Sequence, residues 1–295
     1  MRLKTVLAAA AALGLAAAPS AAVSSKGRQI NAKDKIVVDP GTAYIFYRST
    51  MKLNLMFLRE VTPEDRKAWE AKRDEAFRRA EARYQRDLSQ WQKQDEFYRT
   101  SSEVDRMHFA RPVKPAPVAR DTFAFSPPEL DNFTPAGAGP RVDDADGPFD
   151  YLIAVEPGTY ALYGPMVVGA NGGVGTCLCM GSVKFEAVPG KIVDIGLIAF
   201  PRFESHDNAA MRLRGPKAMP VLQVTPASAA LPLPPRLNGL PVVAADLHAA
   251  GKVPNYYGIE VDRLPAITGV LAYRRDRVID VKSEGAAGQA EPAAR

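Results

Sequence analysis

An antiparallel β-sandwich carrying one long, charged helical insertion and proline-rich connections is the architecture that three features of this sequence predict. Its 295 residues include 25 prolines and 22 glycines, too many chain breakers for helix to dominate. Pro-Gly pairs at Pro40, Pro157 and Pro189 each open a stretch rich in β-branched and aromatic residues: PGTAYIFYRS, PGTYALYGP and PGKIVDIGLIAF. Between Thr62 and Met107 the composition changes to 11 basic and 11 acidic residues, with no glycine and no proline after Pro63. The Pro-Gly stretches read as short strands launched from turns, the charged segment as a helix.

The elements follow in order. Arg2 and Lys4 precede an apolar run from Val6 to Ala18, and Ser20-Ala21-Ala22 supplies a small-residue cleavage site. That is the form of a signal peptide over 1–22, its apolar run too short to span a bilayer comfortably. The expected mature chain starts near Val23, is periplasmic or secreted, and has no transmembrane segment. Without Arg2 and Lys4 it holds 36 basic and 33 acidic residues, and this near-neutral balance, with no basic cluster, leaves no footprint for nucleic acid.

Residues 23–61 hold the first sandwich strands, after the turn at Pro40 and over 52–59. Proline presets the first central position of a turn and glycine accepts positive φ at the second, so each Pro-Gly pair predicts a type II turn. Over 62–107, Thr62 is placed to cap a helix, Pro63 to occupy its first position and Asp65 to complete a capping box. Trp69, Phe77, Ala80, Tyr84, Leu88, Trp91 and Tyr98 recur at helical spacing, and Asp74–Arg78, Glu75–Arg79 and Asp95–Arg99 are opposite charges four apart. If continuous, these 46 residues would extend about 69 Å, so a break or a protrusion is expected. The aromatic stripe either packs on the sandwich or forms a coiled-coil or partner surface, with Phe77, Tyr84, Leu88 and Trp91 as its anchors. Residues 108–148 are a proline-rich linker, 149–205 carry the remaining sandwich strands (150–155 and 176–187 among them), and 206–282 hold a proline-rich strap and C-terminal strands. PLPPR (Pro232–Arg236) is a surface strap or a peptide-recognition ligand. Strands are also expected at 257–262 and at the pair GVLAY and RVIDV around Arg274 to Asp276. Residues 283–295 form a disordered tail.

Little in the chain carries chemistry. Cys177 and Cys179 in TCLCMGSVKF alternate with Val183 and Phe185 onto the core face of the strand expected over 176–187. They read first as small apolar core residues. In an extended strand their Cα atoms lie near the upper limit for bridging, so a disulfide requires local distortion. Metal or redox chemistry is the third reading, and a metal would need further ligands. His108, His206 and His248 show no ligand spacing. GANGGVG (Gly169–Gly175) precedes a strand rather than a helix, so it reads as a β-turn. DDADG at Asp143 lacks the ligands of a calcium loop. Neither a nucleophile elbow nor a His-Glu-x-x-His helix occurs.

FDYLIAVEPGTYALYG and VKFEAVPGKIVDIGLI, with YIFYRS as an opening strand, resemble the prealbumin-like and peptidase-regulatory-like β-sandwich modules of exported bacterial proteins. The resemblance covers about a quarter of the chain, implies a binding or structural role and transfers no catalytic residue. The reading is a non-enzymatic, envelope-associated binding or structural protein with no cofactor and no metal, able to self-associate or dock a protein through the helix. The alternative is an exported enzyme or metal/redox protein using Cys177, Cys179 or a histidine.

Overall fold

The computed structural model describes residues 27–137, 142, 148–170, 172–200 and 222–284. The segment read as a signal peptide, the acidic DDADG, His206 and residues 285–295 lie outside them. In chain order the strands are β1 (Arg28–Ile30), β2 (Ala43–Ser49), β3 (Leu55–Arg59), β4 (Phe133–Ala136), β5 (Phe149–Val155), β6 (Gly158–Gly169), β7 (Gly172–Cys177), β8 (Ser182–Ala187), β9 (Ile192–Ala199), β10 (Gln223–Thr225), β11 (Val242–Ala244), β12 (His248–Ala250), β13 (Glu260–Val261), β14 (Leu271–Arg274) and β15 (Arg277–Asp280). Helices α1 (Pro63–Thr100) and α2 (Glu103–Arg106) fall between β3 and β4.

One sheet runs β1-β5-β2-β9-β10, with β11 beside the first half of β9; the other runs β12-β8-β6-β3-β4, with β7 on the outer half of β6 and β13 beside β7. The protein is thus mainly β, with sandwich-like sheets and one long helix. The sheets are mixed rather than antiparallel throughout: β2·β9, β9·β11 and β7·β13 are parallel. The chain leaves β2 for the other sheet and the helix before returning to β9, and crossovers of that length permit parallel neighbours where hairpins do not.

Alternation decides what meets what. Ala43, Ile45 and Tyr47 of β2 and Tyr151, Ile153 and Val155 of β5 share the main core with Leu55, Phe57, Leu162, Val183 and Phe185 of the other sheet. The opposite face of β2, Tyr44 and Phe46, is also buried, against Leu233, Leu237 and Leu240. Coverage on both faces is why AYIFYRS is a continuous apolar run instead of an alternating one.

The proline-rich stretch before β11 is tied down as a strap. Arg48 donates to both carboxylate oxygens of Asp194 at 3.0 and 3.1 Å, with both side chains buried. It also donates to the Leu231 and Pro232 carbonyls at 3.2 and 3.1 Å. Arg236 reaches the carbonyls of Asn31, Asp34 and Val142. The β14–β15 pair forms a two-stranded sheet of its own, turned at Arg275 with φ 54°.

Several expectations need correction. Only Pro189-Gly190 has the expected type II features, with φ 68° at Gly190 and Lys191 N–H donating to Val188 O. At Pro40-Gly41 the Asp39 carboxylate takes the Gly41 N–H at 2.7 Å, and Gly41 is not among the positive-φ residues. The strand expected over 176–187 is broken, because residues 178–181 turn before β8. Helix α1 stops at Thr100 instead of Met107: the hydroxyls of Thr100 and Ser101 bond back to Phe97 O, Ser101 is extended, and Ser102 caps α2. Hydroxyl side chains that compete for backbone groups in this way end helices.

Candidate interaction site

Helix α1 starts as its sequence dictates. Thr62 Oγ accepts from Asp65 N–H at 3.1 Å and the Asp65 carboxylate accepts from Thr62 N–H at 3.0 Å. Arg59, from the end of β3, donates to the same carboxylate at 2.8 Å, and Asn132 donates to it at 3.2 Å. Burial opposes ionisation of Asp65, yet the Thr62, Arg59 and Asn132 bonds hold its pKa down to about 2. The capping box therefore doubles as the joint fixing the helix to the sheet.

Beyond that joint, from Trp69 onward, the side-chain hydrogen bonds, ion pairs and ring contacts of α1 among the described residues run only to α1 itself or to residues 109–131. Trp69 donates to Ser126 O at 2.6 Å and meets Phe125; Phe77 meets Phe123 edge-on at 5.5 Å. Arg120 pairs with Asp74 at 2.5 Å, taking the partner expected for Arg78, while Arg78 turns to Glu75. Glu75–Arg79 and Asp95–Arg99 pair as expected. Trp91 donates to Pro112 O at 3.2 Å with Lys114 over its ring, and Phe97 meets Phe109.

From Phe109 to Ser126, 17 residues of return run beside 28 residues of helix, about 2.5 Å per residue, which only an extended chain can span. Pro112, Pro115 and Val118 are half-buried among exposed neighbours, a three-residue period that fits a polyproline-type strand. Helix and return form an arm, the helix being about 57 Å long.

The expected anchors Phe77, Tyr84, Leu88 and Trp91 are all half-buried, with Phe77 and Trp91 in contact with the return. The apolar groups left open lie at the far end, where sequence reasoning did not look: Phe97, Val104, Met107, Phe109 and Val113 are between 56% and 89% exposed. A pocket of about 480 Å³ lies beside them, lined by Gln94, Phe97, Tyr98, Phe109 and Pro112 among others. Their signal in the sequence was negative: Phe97 lies in the last turn of α1 outside the helical stripe, and the other four are apolar residues beyond the Thr-Ser-Ser stop and outside any strand.

The two cysteines are joined. Both are buried, but on the outer face of β6 and β3 rather than on the core face that holds Val183 and Phe185, and as a disulfide rather than as free thiols, because the turn at 178–181 breaks the alternation. Bridging succeeds because β7 ends at Cys177 and Cys179 sits in a turn, which brings the Cα atoms to 5.1 Å, inside the ordinary range. The segment 253–262 is laid over the pair: Val253 N–H donates to Cys179 O, Asp262 N–H to Cys177 O, and Tyr163, Tyr256 and Tyr257 surround it. Burial pushes the Tyr256 and Tyr257 hydroxyls up to about 12.

His108 is exposed near the arm tip. His248 is held at both ring nitrogens by carboxylates, leaving none to serve as a base. Among the described residues no three His, Cys, Asp or Glu side chains group as metal ligands, and no helix is long and apolar enough to cross a membrane. No family model, curated protein or solved structure matches the chain.

Proposed function

We propose that this is an exported, envelope-associated binding or structural protein in which a prealbumin-like sandwich carries a docking arm. The observation that supports it most is the contrast along the arm. Its stripe is covered by the chain's own return, whereas the apolar residues at its tip, Met107 and Val113 foremost, face solvent. Isolated exposed apolar residues are ordinary, but five within 17 residues of sequence beside an open pocket are the form of a contact surface. A coiled-coil association of arms is the second reading, favoured by the seven-residue spacing of Phe77, Tyr84, Trp91 and Tyr98.

The test is fractionation of cells making the full chain. The mature protein should begin at or within a few residues of Val23 and partition with the envelope, and Met107→Ser with Phe109→Ser should lower the envelope-bound share severalfold without changing its melting temperature. An uncleaved cytoplasmic chain, or an envelope share indifferent to the tip, would overturn the proposal.

A further inference from the structure

At one end of the sandwich His248, on β12, is gripped by carboxylates from two directions. Its Nδ1 lies 2.9 Å from Asp280 Oδ2, at the end of β15, and its Nε2 lies 3.2 Å from Asp246 Oδ2, in the loop before β12. Lys282 pairs with Asp246, and Ser283 Oγ donates to Asp280 at 2.7 Å. From β8, Lys184 and Glu186 line the same pocket as His248, with Lys184 paired to Glu60 at 2.9 Å; on the hairpin, Arg277 pairs with Glu284.

A neutral imidazole has one N–H, and ionised carboxylates only accept. Both contacts are therefore hydrogen bonds only when the ring carries two protons; a neutral ring would set a lone pair against an anionic oxygen. We propose that His248 is a proton-held clasp that fastens the C-terminal hairpin to the sandwich and loosens its β15 end as the pH rises, since a neutral ring keeps at most one of the two bonds and none of the charge attraction.

The charges around it agree. The bond to Asp280 and, after the opposing effect of burial, that to Asp246 raise the His248 pKa above its ordinary value. Lys282 and His248 lower that of Asp246; burial opposes ionisation of Asp280, but Ser283 and His248 still hold it low. A group whose folded pKa is raised stabilises fully below its unfolded value and loses that contribution as pH climbs through the folded one. For His248 this moves the loosening to higher pH than an ordinary histidine would show; on the acid side the clasp persists until the carboxylates protonate. The loosening also reaches one wall of the pocket of about 330 Å³ that His248 and Asp246 line together with Phe185, Val193 and Val243.

The experiment is an NMR titration of the His248 ring in the mature protein, with amide protection factors for β14 and β15 measured at about pH 6 and about pH 9. Protection of β15 should fall severalfold between the two, tracking the ring titration. In Asp280→Asn both the ring titration and the loss should move together to lower pH. His248→Gln, which cannot titrate, should abolish the pH dependence and serves as the test if Asp280→Asn does not fold. Equal protection of β15 at both pH values in the wild type, or a pH dependence that survives His248→Gln, would overturn the proposal.

Discussion

Arg48 and Asp194 sit on neighbouring strands β2 and β9, paired at 3.0 Å with side chains only 4% and 7% exposed, and the guanidinium also holds the strap by two carbonyls. Removing one partner of such a pair leaves a buried charge without its counter-ion, a loss of about 3–5 kcal/mol. Arg48→Ala should therefore cost about that much in urea unfolding and expose the strap to protease. A cost below about 1 kcal/mol would mean that the pair is not desolvated as described. Neither residue stood out in the sequence, because nothing in AYIFYRS or KIVDIGLI says which polar side chain will face which. The cysteines show the same limit from the other side. Burial of Cys177 and Cys179 was read correctly, but period-two alternation set them on the face of Val183 and Phe185, and both the true face and the bond depend on the turn at 178–181, where Gly181 takes φ 145° and no Asn-Gly or Pro-Gly pair marks the break.

At the scale of elements, the signals that could be read were local. Thr62, Pro63 and Asp65 announced the start of α1 three residues apart, and the aromatic stripe declared its buried side. What covers that stripe could not be read, since Phe123 and Phe125 lie some 50 residues along the chain inside a segment that reads as linker; β4, with Pro135 inside it, was hidden in the same way. The seam should be what keeps the arm ordered, because the helix beyond Trp69 gains its tertiary contacts from the return. Phe77→Ser with Trp91→Ser should lower helix content at 222 nm and unfold the arm at a lower temperature than the sandwich, while protection in β2, β5 and β9 stays unchanged. Full helicity in that double variant would show that α1 stands on its intrinsic propensity and ion pairs alone.

For the whole molecule, the sheets bury apolar residues on three levels: between them, beneath the strap, and under the segment 253–262 that covers the disulfide. Among the described residues seven large apolar groups stay exposed across the body, and the other five gather within 17 residues at the far end of a helix about 57 Å long. The strand-rich class followed from prolines and short β-branched runs; the mixed topology did not, because pairings such as β2 with β9 join residues almost 150 positions apart. The central claim is that the arm tip is where this protein meets its envelope partner. The most direct measurement is photo-crosslinking in intact cells with a photoreactive residue at Met107, and with one at Val37, 65% exposed on the body, as the control. The account predicts a discrete adduct from position 107 that is absent from position 37 and lost when Phe109 is also changed to Ser; adducts of equal yield from both positions, or from position 37 alone, would contradict it.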